Sequence, residues 1–278
     1  MMRAQRTRTE NDRDERAVSE AISYVLVFAL ITVGGILVAV QGLPAINNAQ
    51  DEQVAGNSER VVELMQDRVD EMVRQGAPRR EVPVNLQDMR AGIGDMKPSR
   101  VRVSATENSS GNTVELADLK IDPVYIKTTV GNLEQTSAYV NGAVLVGRRG
   151  VPGSWTMPER PSWGITKNSS TQEVESIFLR TVSTTGSGAV GGGQTARILF
   201  ETESREDETR RIDEISISVD SPRSIAWERY FDRIQNGVQG GDVSTSGNKV
   251  TLTIDEFEDG SGSVVHVERV IRTEVEAR

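Results

Sequence analysis

AISYVLVFALITVGGILVAV, Ala21 to Val40, is a twenty-residue run without a single charge, and the organisation of the chain is read outward from it. Only Ser23, Tyr24 and Thr32 in it are polar. At about 1.5 Å of rise per residue such a helix spans roughly the 30 Å of a bilayer core. A buried core helix is the alternative, but core helices rarely stay apolar on every side for five turns. The segment 18–43 is therefore expected to be a transmembrane helix. Gly34-Gly35 sits in mid-span, either as a surface for close helix packing in lipid or as the ordinary glycine content of membrane helices. Residues 1–17 carry Arg3, Arg6, Arg8, Arg13 and Arg16 against Glu10, Asp12, Asp14 and Glu15, and this polar stretch is expected to be disordered. Basic residues beside a span stay cytoplasmic, and Leu43 to Gln50 contains none, so the N-terminus is expected inside and the remainder outside. A cleaved secretory signal has a shorter apolar region, ~7–15 residues, and an A-x-A-like site, which this run lacks.

The composition removes much of the usual functional repertoire. A chain of 278 residues fits one large domain or two small ones. Its net charge of −9 opposes a role built on gripping nucleic acid. Without cysteine there is no disulfide, thiol nucleophile, lipid-modified cysteine or thiolate metal site. The one histidine, His266, allows no His-rich metal cage and would have to serve any serine triad alone. Its strand-like setting, VVHVER, reads as structural. Only 5 of the 32 basic residues are Lys and 27 are Arg; with the acidic surplus this suggests a GC-rich, salt-adapted (halophile) source.

The junction before the apolar run is the most specific feature: Asp14-Glu15-Arg16-Ala17-Val18-Ser19-Glu20. A charged residue, Ala, two small or apolar residues and then a long hydrophobic stretch resemble the class III signal peptide of archaeal type IV pilin-like proteins. RAVSEAISYVLVFALITVGGILVAVQ is also similar to the opening of haloarchaeal pilin-like membrane proteins. The resemblance covers residues 13–43. It implies that a prepilin peptidase cuts between Ala17 and Val18, with Arg16, Ala17, Val18 and Ser19 as the processing residues, and that the retained helix packs against other pilin-like subunits. Glu20 stands where many archaeal pilins have Pro, and Ser23 where Gly is common. Bacterial pilins carry a Glu five residues into the mature chain; here that place is Ile22. Glu20 either meets the new amino terminus of a neighbouring subunit or lies at headgroup level, where it favours the helix dipole.

Gly42-Leu43-Pro44 is expected to interrupt the helix as it leaves the membrane. Within 44–80, the stretch 51–75 repeats Val54, Val61, Val62, Leu64, Met65, Val69, Met72 and Val73 at threes and fours, which predicts an amphipathic stalk helix stopped by Gly76-Ala77-Pro78. Region 81–278 reads as β-rich, with strands at Arg100–Thr106, Thr113–Ile121, Val124–Val130, Ala138–Val146, Val174–Val182, Ala196–Glu203 and Ile212–Val219. GSGAVGGG, Gly186–Gly193, is expected to be a flexible loop. Ser221-Pro222 is expected to open a helix to about Gln235, with Ser221 as N-cap and an aromatic face in the core. Val250–Ile254 and Val264–Thr273 are expected to close the domain as a hairpin around Asp259-Gly260.

No catalytic residue is assigned, no metal ligand and no cofactor. Asp255, Glu256, Glu258 and Asp259 form a solvated turn or at most a weak calcium site, without the ligand spacing of a calcium loop. Trp155 and Trp163 form either an adhesive surface or a satellite packing cluster. Asn108-Ser109-Ser110 and Asn168-Ser169-Ser170 are N-glycosylation triplets in expected turns on the outer side. The fold class expected is α+β: an N-terminal transmembrane helix with an amphipathic extension, then an antiparallel β-sandwich-like extracellular head carrying one short C-terminal helix. The function expected is a single-pass cell-membrane protein with an outer head, acting as a minor pilin or pseudopilin subunit. A head of about 200 residues is large for a major pilin. Its partners would be membrane lipid, a prepilin peptidase and other subunits, not nucleic acid. Glu20, Gly34 and Gly35 would serve helix packing. The alternative is a signal-anchored adhesion or ligand-binding domain that never assembles; a surface hydrolase lacks any recognisable motif.

Overall fold

The computed structural model describes the backbone of residues 6–278 other than 88, 131 and 152, and the side chains of these except 6–21, 41–44, 47, 48 and 259. The first element is a helix, α1 (Arg6–Gln75). Its residues up to Glu52 belong to one compact unit, and Gln53–Arg278 form a second.

Two expectations fail within the first unit. Residues 6–17, read as disordered, are helical. Once a helix is nucleated, each added residue gains a hydrogen bond, and Arg and Glu are good helix formers. The helix also continues through Gly42-Leu43-Pro44. A single Pro removes one backbone donor and strains one turn, and the turns on either side keep their bonds.

The second unit begins with the rest of α1. Its strands are β1 (Arg79–Asn85), β2 (Met89–Ile93), β3 (Ser99–Glu107), β4 (Thr113–Ile121), β5 (Val124–Val130), β6 (Leu133–Val140), β7 (Ala143–Arg148), β8 (Thr156–Glu159), β9 (Gly164–Lys167), β10 (Val174–Gly191), β11 (Thr195–Asp220), β12 (Gly241–Ser246), β13 (Lys249–Ile254) and β14 (Gly262–Ala277). The helix α2 (Ser224–Gln235) lies between β11 and β12. The chain is thus β-rich with an N-terminal apolar helix. The main hydrogen-bonded path runs β12-β13-β11-β14-β10-β2-β5-β6-β7-β8.

Three long strands organise this sheet. β11 carries β1 and then β3 along one edge, and β14 and then β13 along the other. The expected hairpin between residues 250–254 and 264–273 is therefore not formed; both segments pair with β11 instead, one after the other. β14 is inserted between β11 and β10. A strand placed between two strands that run in opposite directions must be parallel to one of them. Accordingly β14 is antiparallel to β11 and parallel to β10, over Ser176–Ser187 against Ser263–Glu274. This parallel ladder departs from the antiparallel reading.

β6 and β7 were read as one strand, Ala138–Val146. Asn141 and Gly142 instead both take positive φ, 51° and 78°, and turn the chain into a two-residue hairpin. Residues 196–219 were read as two strands and form one, because Glu203–Arg211 remains extended against β14. The Gly186–Gly193 loop is mostly strand: β10 runs to Gly191 and changes partner there, from β14 to β2. Glycine is required at that crossing. A Cβ on Gly186, at φ +152°, would stand 1.9 Å from the Thr273 carbonyl oxygen.

The core has two parts. One gathers Val101, Val103, Leu119, Tyr125, Leu145, Ile217 and Trp227 from β3, β4, β5, β7, β11 and α2. The other gathers Val62, Met65, Val69 and Met72 of α1 with Val82, Ile93, Ile126, Tyr139 and Ile198. Neighbouring residues of β5 and β6 point into different parts (Tyr125 against Ile126, Ala138 against Tyr139), so these strands are buried on both faces. The expected α2 face holds: Ala226, Trp227, Tyr230 and Phe231 are buried. Trp163, half-buried, stacks among them at ring-centre distances of 5.8–6.1 Å. Ser221 is not the N-cap; that place is Arg223. The Ser221 hydroxyl accepts from the Arg223 N–H and from the Ser99 hydroxyl.

His266 is buried in β14, its Nε2 2.8 Å from the Thr181 hydroxyl. Burial pushes its pKa below the ordinary imidazole value, against the opposing pull of Glu208, Glu206 and Asp207. The unfolded chain thus takes up the proton first, and His266 lowers stability as pH falls below about 6.5. We expect His266→Gln to shrink the loss of melting temperature between neutral and mildly acidic pH, measured by scanning calorimetry against wild type. We also expect Gly186→Ala to destabilise by about 2–4 kcal/mol. Gly192→Ala, at φ +82° but in open space, should lose only ~1 kcal/mol. Denaturant unfolding of both variants checks the contrast.

Candidate functional site

The first unit is helical, with apolar side chains on its outside. Ile22–Val40 has a mean hydropathy of 2.5 and is long and apolar enough to cross a membrane. Every residue in it is exposed except Gly34, which is half-buried. Tyr24, Phe28, Leu30 and Val38 each leave more than 70% of their surface open. Within it the Thr32 hydroxyl donates to the Phe28 carbonyl one turn back, at 2.8 Å. A Cβ on Gly34 or Gly35 would meet nothing within 4 Å, so neither glycine is demanded by this chain's own packing. The expected processing residues Arg16, Ala17, Val18 and Ser19, and Glu20, have helical backbone, but their side chains lie outside the described residues.

In the second unit, polar side chains embedded in the apolar stripe fasten α1 to the strands. Ser58 is buried against the Ser137 hydroxyl at 3.1 Å. The Gln66 amide donates to the Gly142 carbonyl at 2.7 Å and to the Arg160 carbonyl at 2.9 Å. One turn on, Asp70 accepts from the Ser162 hydroxyl at 2.7 Å and pairs with the Arg180 guanidinium at 3.4 Å. The Arg180 carbonyl in turn accepts from the Trp163 indole at 2.8 Å. Burial, reinforced by the Asp70 charge, pushes the Tyr139 phenol well above its usual range, so it stays neutral. Ser58, Gln66 and Asp70 were not singled out from the sequence. The signal was present: they fall four and eight residues apart, on the face defined by Val62, Met65 and Val69.

The remaining sequence candidates separate. Asn108 is exposed in the β3–β4 turn, its amide donating to Asp213 at 2.6 Å. Asn168 is half-buried and used on both sides: its amide donates to Glu258 at 2.6 Å and its oxygen accepts from the Ser170 N–H. Of the two triplets, Asn108 is the accessible one. The same bond commits Glu258 of the acidic cluster, and the Asp259 side chain lies outside the described residues. Among the described residues, no group of three or more His, Asp or Glu is arranged to hold a metal.

Over residues 16–274 the sequence matches a family described as a family of unknown function, DUF7289. The chain belongs to DUF7289. No curated protein and no solved structure matches it. The match to DUF7289 takes in the apolar helix, the latch that Ser58, Gln66 and Asp70 form with the strands, β1 to β13 and β14 up to Glu274; residues 1–15 and 275–278 lie outside it.

The latch has a measurable weight. Arg180→Met leaves Asp70 buried beside an apolar chain and is expected to destabilise the fold by about 2–4 kcal/mol. Asp70→Asn, which can still accept from Ser162, is expected to lose about half as much. Thermal unfolding of both variants and their double mutant tests this, with non-additivity expected because the two residues touch.

Proposed function

We propose that this DUF7289 chain is a single-pass surface protein of the type IV pilin-like kind, anchored by its N-terminal helix and working as a minor structural subunit. The observation that carries the reading is the naked apolar surface of Ile22–Val40. An exposed apolar run of this length is unstable in water and needs a cover. Lipid is one cover, and the same helix from another subunit is a second. Gly34 and Gly35 suit the second, since they have open space on their side of the helix and admit a close backbone.

Two further observations support this reading. The junction Arg16-Ala17-Val18-Ser19 has the class III pattern described above, and the family match begins at Arg16, which suits a leader that is separate from the working protein. The basic residues ahead of the span favour an inside N-terminus, so the β-rich unit would face outward. Asn108 is then a surface position open to glycosylation. The rival, an anchored ligand-binding domain that does not assemble, shares the anchor and the orientation; a basic-rimmed cleft described below favours it as the second reading.

The deciding measurement is the intact mass and N-terminal sequence of the protein from its native membrane. A chain starting at Val18 is the expected result. One starting at Met1 removes the pilin-like reading, and one starting beyond Val40 makes the protein secreted. Gly34→Leu with Gly35→Leu is expected to abolish cross-linked higher oligomers in the membrane while leaving membrane retention intact; in the non-assembling rival the double variant changes nothing.

A further inference from the structure

A cleft of about 260 Å³ opens between α2, β9 and the ends of β10, β11 and β13. Its floor is aliphatic, with Leu179, Ile217 and Leu252 buried beneath it. Trp163 and Tyr230 form one wall. Its rim carries three cations, Arg160, Lys167 and Arg233, and no acidic residue lines it.

That charge pattern is unusual for this molecule. The chain has 41 acidic residues against 32 basic ones. Arginines elsewhere in the second unit commonly sit in ion pairs, such as Arg100 with Asp118, Arg197 with Glu276 and Arg269 with Asp207. Among the described residues, Arg160, Lys167 and Arg233 take part in none of the ion pairs. Lys167 is tied to Gln172 and the Gly237 carbonyl, and Arg233 Nε to the Arg229 carbonyl, all neutral acceptors. Three uncompensated positive charges thus surround one apolar hollow. The Tyr230 phenol feels them: burial pushes its pKa up to about 12, and Arg160 and Arg233 both act against that rise. It is a neutral hydroxyl at the cleft wall.

We infer that this cleft binds a small amphipathic anion, an apolar aryl or alkyl body ending in a carboxylate. The volume corresponds to roughly nine water-sized groups at about 30 Å³ each. The body displaces water from the aliphatic floor and stacks beside Trp163. The carboxylate stays at the rim, where Arg160 and Arg233 supply planar forks that match its two oxygens and Lys167 adds a point charge. Recognition needs both halves: the apolar body supplies affinity, and the rim selects the sign of the head group. The inference is independent of leader processing and of assembly.

The test is calorimetric titration of the full-length chain in phosphatidylcholine nanodiscs with 4-phenylbutyrate, using empty nanodiscs as blank and tryptophan emission as a second readout. Saturable one-to-one binding is expected, with a change in emission from the Trp163 side of the cleft. Two controls separate its parts: 4-phenylbutylammonium keeps the body and reverses the charge, and butyrate keeps the head and loses the ring. Both are expected to bind at least about tenfold more weakly. The net charge of −9 favours the cation non-specifically, so preference for the anion cannot come from the bulk field. Arg160→Gln with Arg233→Gln, both at exposed positions, is expected to weaken 4-phenylbutyrate by about tenfold or more at unchanged melting temperature. Absence of saturable binding, equal binding of the ammonium analogue, or undiminished binding by the double variant would each overturn the proposal.

Discussion

The β-rich unit depends on one face of one helix. Val62, Met65, Val69 and Met72 close the second half of the core, against residues of β1, β2, β5, β6 and β11. Without that face, Val82, Ile93, Ile126 and Ile198 would lie open to water. Burial of this kind is strong but carries no direction. Direction comes from the polar groups set into the stripe. Gln66 reaches two carbonyls, and Asp70 meets Ser162 and Arg180 at fixed distances. A helix rotated or slid by one turn would leave these groups buried and unpaired, which is more costly than the loss of any one contact. The hydrocarbon supplies the free energy and the latch supplies the register.

The same helix, α1, carries two opposite surfaces in its two units. From Gln53 onward one apolar face, Val62, Met65, Val69 and Met72, is buried against this chain's own strands, while Leu64 stays exposed. In Ile22–Val40 the large apolar side chains are exposed. A stripe one face wide is what a partner within the fold requires, whereas an apolar girdle all round requires an apolar medium or several partners at once. That difference separates the anchoring role proposed for the first segment from the structural role of the second.

Much of this was legible in the sequence, and the failures share causes. The apolar run, the amphipathic stretch at 51–75 and the strands Thr113–Ile121 and Val124–Val130 were readable because period and length decide them. Ala138–Val146 was read as a single strand because its apolar residues continue through Asn141-Gly142; a strand buried on both faces loses the alternation that would mark its end. Gly186–Gly193 looked like a loop because glycine signals flexibility locally, whereas here it permits two strands to cross closely. Ser58, Gln66 and Asp70 stand on the apolar face of the stalk helix, which marks them as buried, but their partners, distant in the chain, follow no spacing rule. The cleft was further out of reach: Arg160, Lys167 and Arg233 sit on separate elements, and no spacing rule joins them.

The central position of β14 has a consequence for the order of events in the life of the chain. Gly262–Ala277, made after β10 and β11, is the segment that separates them and pairs with both. Until it arrives, those two strands face each other across a gap one strand wide, each with a row of unsatisfied backbone groups. A ribosome adding about 5–20 residues per second needs several seconds to pass from the end of β11 to the end of β14. The N-terminal helix is complete long before then. Synthesis therefore makes the apolar helix available before the sheet can close. A chain without β14 would be left with two open strand edges, each a template for pairing with another chain.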